Sequence, residues 1–279
     1  MHSILALKLY GMVKIGIIKS NAKFWRDYFD KDKVENFNID LDIWEKELQE
    51  KNICLVCIFD NEFPKANLKL KQSEMPFLLA YKGNIDLLKD IDRNVAVIGV
   101  LNPTEEIIKR EEKIVKNFAE NKITIVSGLA SGCDTVAHKT CLDCNGKTVA
   151  ILPTTLENIY PKANIELANK IVQSNGLIIT EYVYEPQNKF GKIKRFIDRD
   201  RLQAMFSKAV VLIASFTQGN GDSGSRHAMQ KAKEYGRSRF VMFDKTTDNV
   251  NSILELNKEQ IADGAQILTS KSIKELSPK

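Results

Sequence analysis

The chain has 279 residues, 43% of them hydrophobic, enough for one large core or two unequal ones. It contains no run near the roughly 18 uninterrupted apolar residues of a membrane helix, and its start lacks a small-residue cleavage site, so a cytoplasmic protein without membrane association is expected. Lysine and arginine exceed aspartate and glutamate by 41 − 36 = 5, a mildly basic balance that admits a polyanionic partner.

Residues 1–90 read as a small helical domain with a connecting segment. Trp25, Tyr28 and Phe29, then Leu41, Trp44 and Leu48, recur at three- and four-residue steps. Cys54-x-x-Cys57 lies in the apolar run NICLVCIF with no second Cys or His pair near it, so neither a metal nor a redox site is assigned, and the odd, scattered cysteines speak against a disulfide framework. A strand-like piece, Phe77 to Tyr81, lies between turn signals at Pro76 and Gly83-Asn84. The stretch LLKDIDRN leads into the next unit.

From Asn94 the pattern is regular. Apolar strands at 95–99, 123–127, 148–152, 176–180, 209–214 and 239–243 alternate with helical segments. These run from about Thr104 to Asn121, from Ser131 to Cys144, after Pro161, near Arg199 to Phe206, and after Ser223. Short, wholly apolar strands between amphipathic helices indicate a parallel sheet buried on both faces, so residues 91–279 are expected to form a doubly wound α/β domain.

In such sheets ligands bind beyond the carboxyl ends of the strands. Three turns reach that edge: the one at Gly99, the SGLASG segment with Ser127, Gly128, Ser131 and Gly132, and the polar SFTQGNGDSGSRHA with Ser223, Gly224 and Ser225. Thr104, followed by Glu105 and Glu106, is expected to start one helix and Ser131 to cap another. None of the turns fits G-x-G-x-x-G or G-x-x-x-x-G-K-[ST], and each alone is an ordinary connection. Their convergence is what points to phosphate.

Between Lys189 and Lys208 seven basic residues (Lys189, Lys192, Lys194, Arg195, Arg199, Arg201, Lys208) face two acids, Asp198 and Asp200. Phe190 and Phe196 stand among them. Such interleaving suits single-stranded nucleic acid, where phosphates take the charge and bases stack on rings, and it equally describes a solvated basic face over core phenylalanines. His138 reads as a packing residue, since no nucleophile is evidently placed for it. Glu181, directly after a strand, is placed to accept hydrogen bonds from a sugar, to orient Arg199, or to form a structural ion pair. His227 follows the Ser-Gly-Ser turn and reads as solvent-facing.

These motifs in order resemble the DNA-processing protein A (DprA/Smf) family. The likeness runs from about Asp60 to Leu276 through DNEFP, MPFLLAYKGN, VAVIG, SGLASGCDTVAH, GKTVAILPTTLENIYPKAN, IITE, F-x-x-R-x-R at Phe196, Arg199 and Arg201, and SGS at 223–225. It closes with AKEYGR and N-x-x-x-I-x-D-G-A from Asn257 to Ala265. The resemblance implies an extended Rossmann-like domain, usually dimeric, that binds single-stranded DNA and assists loading of a RecA-type recombinase in natural transformation. It implies no cofactor and no catalytic centre. Carried over, the pocket comprises Gly99, Ser127, Gly128, Gly132, Lys162, Arg199, Arg201, Ser223, Gly224 and Ser225.

This chain departs from the family pattern at several points. Gly99-Val100-Leu101 stands for Gly-Ser-Arg, Ala130-Ser131-Gly132 for Ala-Arg-Gly, and Phe196-Ile197-Asp198-Arg199-Asp200-Arg201 for F-P-x-R-N-R. Two basic positions are thereby neutral. The leading expectation is a single-stranded DNA-binding recombination mediator. The alternative is a nucleotide-derivative enzyme or sensor using the same edge, with Glu181 nearest to catalysis; a third class is an interaction protein whose pocket is unused.

Overall fold

The computed structural model describes residues 2–65, 70–186, 188–221 and 224–278. Four helices come first: α1 (Ile4–Lys14), α2 (Asn21–Asp27), α3 (Lys31–Glu35) and α4 (Asp42–Glu50). Two strands follow, β1 (Cys54–Cys57) and β2 (Leu78–Gly83). The alternating part comprises β3 (Asn94–Ile98), α5 (Glu105–Glu120), β4 (Thr124–Ser127), α6 (Cys133–Asp143), β5 (Thr148–Ile151), α7 (Ile165–Gln173) and β6 (Leu177–Thr180). It continues with α8 (Lys189–Met205), β7 (Ala209–Leu212), α9 (Ser225–Glu234), β8 (Ser238–Val241), α10 (Glu255–Ala262), β9 (Gln266–Ile267) and α11 (Ser270–Leu276).

The strands form one nine-stranded sheet in the order β1-β2-β6-β5-β4-β3-β7-β8-β9. Strands β3 to β9 pair in parallel, whereas β2 runs antiparallel to both β1 and β6. Every residue of β3 to β7 is buried, as helices over both faces require, and polar ones at the strand ends such as Asn94, Ser127 and Thr148 spend their side chains on backbone carbonyls. This is the doubly wound α/β architecture expected from the alternation of strands and helices. The chain winds one way through β3, β4, β5 and β6 and the other way through β7, β8 and β9. The order therefore reverses between β3 and β7, which is the switch point where such sheets open a crevice.

The sheet crosses the boundary expected at residue 90. Strand β2 hydrogen-bonds along β6 in the register Ala80 to Thr180 through Gly83 to Leu177. The helical segment shares a core with the sheet: Ala6, Leu9, Phe24 and Leu48 belong to the same apolar cluster as Ala150, Leu167, Ile171 and Ile178. A second cluster, which takes the alternate residues Val56, Leu79, Ile151 and Ile179 of the same strands together with β3, β4, β7 and β8, holds Phe118, Leu202, Phe206 and Met229. Each large side chain taken fully out of water stabilises the fold by roughly 2–3 kcal/mol.

Helix boundaries follow local chemistry. Thr104 caps α5, its hydroxyl accepting from the Ile107 amide at 3.3 Å, as expected. Ser131 does not cap α6: Gly132 occupies that position at φ +75° and Ser131 is exposed. Helix α8 begins ten residues before the start expected at Arg199. Asn188 caps it by accepting from the Gly191 amide at 2.8 Å, and the chain then stays helical through Ile197. A proline at 197 would forbid that continuation, because it lacks the amide and clashes with the preceding turn.

Candidate nucleic-acid interface at the strand ends

The three turns converge in space. The Val100 amide donates to the Ala214 carbonyl at 2.9 Å, joining the ends of β3 and β7, and the Cys133 amide donates to the Val100 carbonyl at 3.0 Å, joining the start of α6 to the same turn. A Cβ at Gly99 would lie 2.6 Å from Cys133 Sγ, and one at Gly132 would lie 2.3 Å from the Val100 carbonyl oxygen. Both glycines are therefore demanded by packing, and Gly132 also by its positive φ. Ser225, at the start of α9, donates through its hydroxyl to the Gly99 carbonyl at 3.4 Å. Gly224 (φ +91°) sets the entry to that helix beside Asp200. Ser223 lies outside the described residues.

The SGLASG turn is shaped from within. Asp134 is buried and accepts from the Gly128 and Ala130 amides at 3.1 and 3.2 Å. Ser127 is buried too, its hydroxyl donating to the Val97 carbonyl at 2.7 Å. These groups build the turn and do not point outward as anion donors. Asn164 pins the other side: its amide donates to the Leu129 carbonyl at 2.9 Å and to Thr135 Oγ1 at 2.8 Å. That contact carries exposed Lys162, two residues earlier, to the rim of the turn. Tyr160, 57% exposed, sits edge-on to Phe196 with ring centroids 5.9 Å apart. Nothing in the sequence marks Asp134, Asn164 and Tyr160 as site residues, although Asp134 lies in the first turn of α6 and Asn164 at the cap of α7, where a short polar side chain meets free amides or carbonyls.

The basic segment divides. Lys189, Lys192 and Lys194 are exposed, while Arg195, Arg199 and Arg201 are buried. Arg199 lies against the SGLASG turn. Its Nη1 donates to the Ile151 carbonyl at 3.0 Å, its Nε is 3.2 Å from Asp200, and a Cβ on Gly128 would fall 1.4 Å from Nη1. Arg195 donates to the Tyr184 carbonyl, with its guanidinium 4.2 Å from the Tyr182 ring centre. Arg201 is paired with Glu181, Nη1 to Oε1 at 2.6 Å, and its Nε donates to the Glu74 carbonyl at 2.9 Å.

Glu181 also accepts from Asn21 at 3.0 Å. Burial alone would raise its carboxyl, but the charge and hydrogen bonds of Arg201 hold it below the ordinary range. Of the three roles open to Glu181, the structure shows the ion pair. The pair lines a cleft of about 720 Å³ between the α1–α2 connection, α8 and α9, shared with Tyr182, Lys194, His227 and Lys231. His138 is wholly buried on Thr148 Oγ1 at 2.7 Å, which makes it the packing residue expected. Burial, reinforced by the charge of Arg199, brings its imidazole down to about 3.

The two neutral positions meet. Leu101 is 47% exposed, and its carbonyl oxygen lies 2.4 Å from where a Gly132 Cβ would be, so Leu101 and Ser131 flank the same glycine. The pattern that the sequence resembles has basic residues at both. Their charge is missing from one spot at the switch point rather than from two separate ones.

Fold and site together define a doubly wound, Rossmann-like α/β protein with glycine turns gathered at its switch point. The family model for DNA recombination-mediator protein A matches residues 54–277, and the chain belongs to that family. It is 34% identical over 200 residues to DNA processing protein DprA of Streptococcus pneumoniae, covering 70% of this chain and 67% of that one. It is 31% identical over 199 residues to protein Smf of Synechocystis, where the match spans about half, 48%, of the relative's length. The solved structure of the Streptococcus pneumoniae DNA processing protein A aligns over 98% of this chain and 97% of its own at a TM-score of 0.77 and 28% identity. DNA processing protein A of Helicobacter pylori, solved for its single-stranded DNA binding mode, aligns over 79% of this chain and 94% of its own at a TM-score of 0.63 and 28% identity.

Proposed function

We propose that this protein binds single-stranded DNA at the β3/β7 switch point and serves as a recombination mediator, protecting the strand and passing it to a RecA-type recombinase. The observation that carries the reading is the contact of the three turns through Gly99, Gly132 and Ser225, beside exposed Lys162 and the Tyr160–Phe196 pair, in a chain of this family. Lys162 neutralises a phosphate and Tyr160 offers a ring to an unstacked base. Gly99, Gly128 and Gly132 hold the turns close on Cys133, Arg199 and the Val100 carbonyl, and with Gly224 and Ser225 they form the edge that the strand approaches. Arg199, fixed under the SGLASG turn, contributes positive potential from below, and Arg201 positions the surrounding elements.

The protein acts as a binding module, as a homodimer in the cytoplasm, with DNA uptake as its setting. The reading as a nucleotide-derivative enzyme is less well supported, because the carboxylate it needs, Glu181, is held on Arg201 and Asn21. Fluorescence anisotropy of labelled oligo-dT of about 20 to 35 nucleotides, across a salt series with duplex competitor, tests the proposal. Preferential single-strand binding whose log K falls with log salt, and whose slope drops by about 0.7 in Lys162→Ala, supports it. Binding to duplex and single strand alike, or none at low salt, rejects it.

A further inference from the structure

The first two turns of α8 ahead of Phe196, residues 189–195, carry an exposed surface that the switch-point site leaves unused. Phe190 is 84% exposed, and Ile193 and Ile197 are 49% and 42% exposed at the three- and seven-residue spacing that aligns them with it. Lys189, Lys192 and Lys194 flank this ridge, all exposed. Lys194 is paired with Asp198, whereas Lys189 and Lys192 make no ion pair among the described residues. Residues 189–198 carry four cations (Lys189, Lys192, Lys194, Arg195) and one acid (Asp198), 4 − 1 = 3 net positive charges.

Helical spacing ties this surface to the strand ends. Lys192, Phe196 and Arg199 follow at four and three residues and share a face, and on it Phe196 meets Tyr160 while Arg199 meets the SGLASG turn. Lys189, Ile193 and Asp200 follow at four and seven residues and share the adjacent face, where Asp200 lies beside Gly224. From Arg199 outward to Lys189 the helix runs about 15 Å at 1.5 Å per residue. The unbroken helix through Ile197 gives the surface its shape.

We infer that these two turns are an outer binding site for single-stranded DNA, taking the nucleotides next to those at the glycine turns. The inference rests on the reading under Proposed function. Lys189 and Lys192 neutralise phosphates, and Phe190 stacks a base. Charge decides the occupant: the cluster is cationic with a freely exposed ring, while the rim at Leu101 and Ser131 is neutral. The outer site supplies the phosphate contacts that those two positions do not.

The test is anisotropy of labelled oligo-dT at about 6 and about 30 nucleotides over a salt series, with wild type, Lys189→Ala/Lys192→Ala, Phe190→Ala, Ile197→Pro and, as the inner-site control, Lys162→Ala. For the long oligonucleotide the double lysine variant lowers the salt slope by about 1.4, two contacts at roughly 0.7 each, which corresponds to a roughly 25-fold loss near 0.1 M salt. Phe190→Ala costs about fivefold or more with the slope unchanged, because stacking carries no charge. Ile197→Pro breaks the helix behind both and gives at least the larger loss, with circular dichroism and the thermal midpoint reporting whether the rest of the fold persists. On the short oligonucleotide these losses shrink while that of Lys162→Ala remains.

If wild type and Lys162→Ala behave as described but the α8 surface variants stay within twofold of wild type, the outer site is wrong and the switch-point reading stands. If wild type binds neither oligonucleotide, the underlying reading fails first. Should Ile197→Pro not fold, the two surface variants decide alone.

Discussion

Arg201 and Glu181 face each other as a buried pair, guanidinium Nη1 to carboxylate Oε1 at 2.6 Å, with side chains 9% and 6% exposed. Around it gather Asn21 from α2, the Glu74 carbonyl and the Asp198 carbonyl. Glu74 in turn holds Lys231 at 2.9 Å and the Tyr235 hydroxyl, both from the α9 region. One ion pair therefore joins the N-terminal helices, the segment before β2, α8 and α9. Its position beside the strand ends is structural in effect, and Arg201 acts on a bound strand through the elements it fixes.

Glu181→Gln is expected to destabilise the fold by about 3–5 kcal/mol, because it leaves the Arg201 charge buried without compensation. Adding Arg201→Gln should recover part of that loss, a coupling that urea titration of the two single variants and the double variant measures directly. A double variant whose loss equals the sum of the single losses would show that the two side chains do not act as a pair. The pair also predicts acid sensitivity. Since the folded carboxyl is held below the ordinary 4.5, its contribution is present above that value and is lost as pH falls through the folded value.

Asn164 offers a test of the SGLASG turn that removes no charge. Its buried amide serves Leu129, Ala130 and Thr135, so Asn164→Ala leaves those acceptors short of a donor at a cost of about 1–3 kcal/mol. On the proposed function, single-strand affinity falls severalfold because Lys162 loses its anchor, while the salt slope changes little. Parallel salt series on Asn164→Ala and Lys162→Ala separate positioning from charge. Equal slope losses in both would assign Asn164 a charge effect that its chemistry does not supply.

The sheet is readable in the sequence because a strand covered on both faces keeps its few polar residues to its ends, and VAVI, TIV and AVVL leave little else to infer. Pairing of β2 with β6 is not, since the contact joins residues about a hundred positions apart and Leu78–Gly83 alternates too little to announce a partner. The start of α8 was hidden by Gly191 and by an even mixture of charge and apolar residues. Charge also misled at the site itself. An arginine in a basic segment reads as surface, and only the placement of Ile151, Glu181 and Glu74 shows that Arg199 and Arg201 are enclosed. Glycines were informative where backbones touch, as at Gly99 and Gly132, whose missing side chains mark contacts between turns distant in sequence.

His138 makes stability fall on the acid side. It is neutral in the fold down to about 3, whereas in the unfolded chain it takes a proton below about 6.5. Between those values the unfolded state binds more protons, so stability drops as pH falls, by at most about 1.4 kcal/mol per pH unit from this group. His138→Gln should flatten the denaturation midpoint between pH 6.5 and 4 relative to wild type. An unchanged slope would show that other groups set the acid limb.

Glu111 works in the opposite direction. It is fully buried on α5, where the thiol of Cys133 is its one weak donor among the described residues, close to Asp134 of α6 under the Gly99 turn. Burial pushes its carboxyl well above the ordinary range, against a weaker opposing effect of the Cys133 thiol. Below about pH 4.5 the folded and unfolded chains both hold the proton. Above it the unfolded chain releases the proton first, so stability is lost as pH rises toward the folded value. Glu111→Gln abolishes that loss while keeping the side-chain volume. The variant should therefore be more stable than wild type at pH 8, with the advantage shrinking toward pH 5, and urea midpoints at the two values read the difference. An advantage that is the same at both pH values would locate the effect in packing rather than ionisation, and a less stable variant at pH 8 would mean that the carboxylate has a partner the buried site does not display.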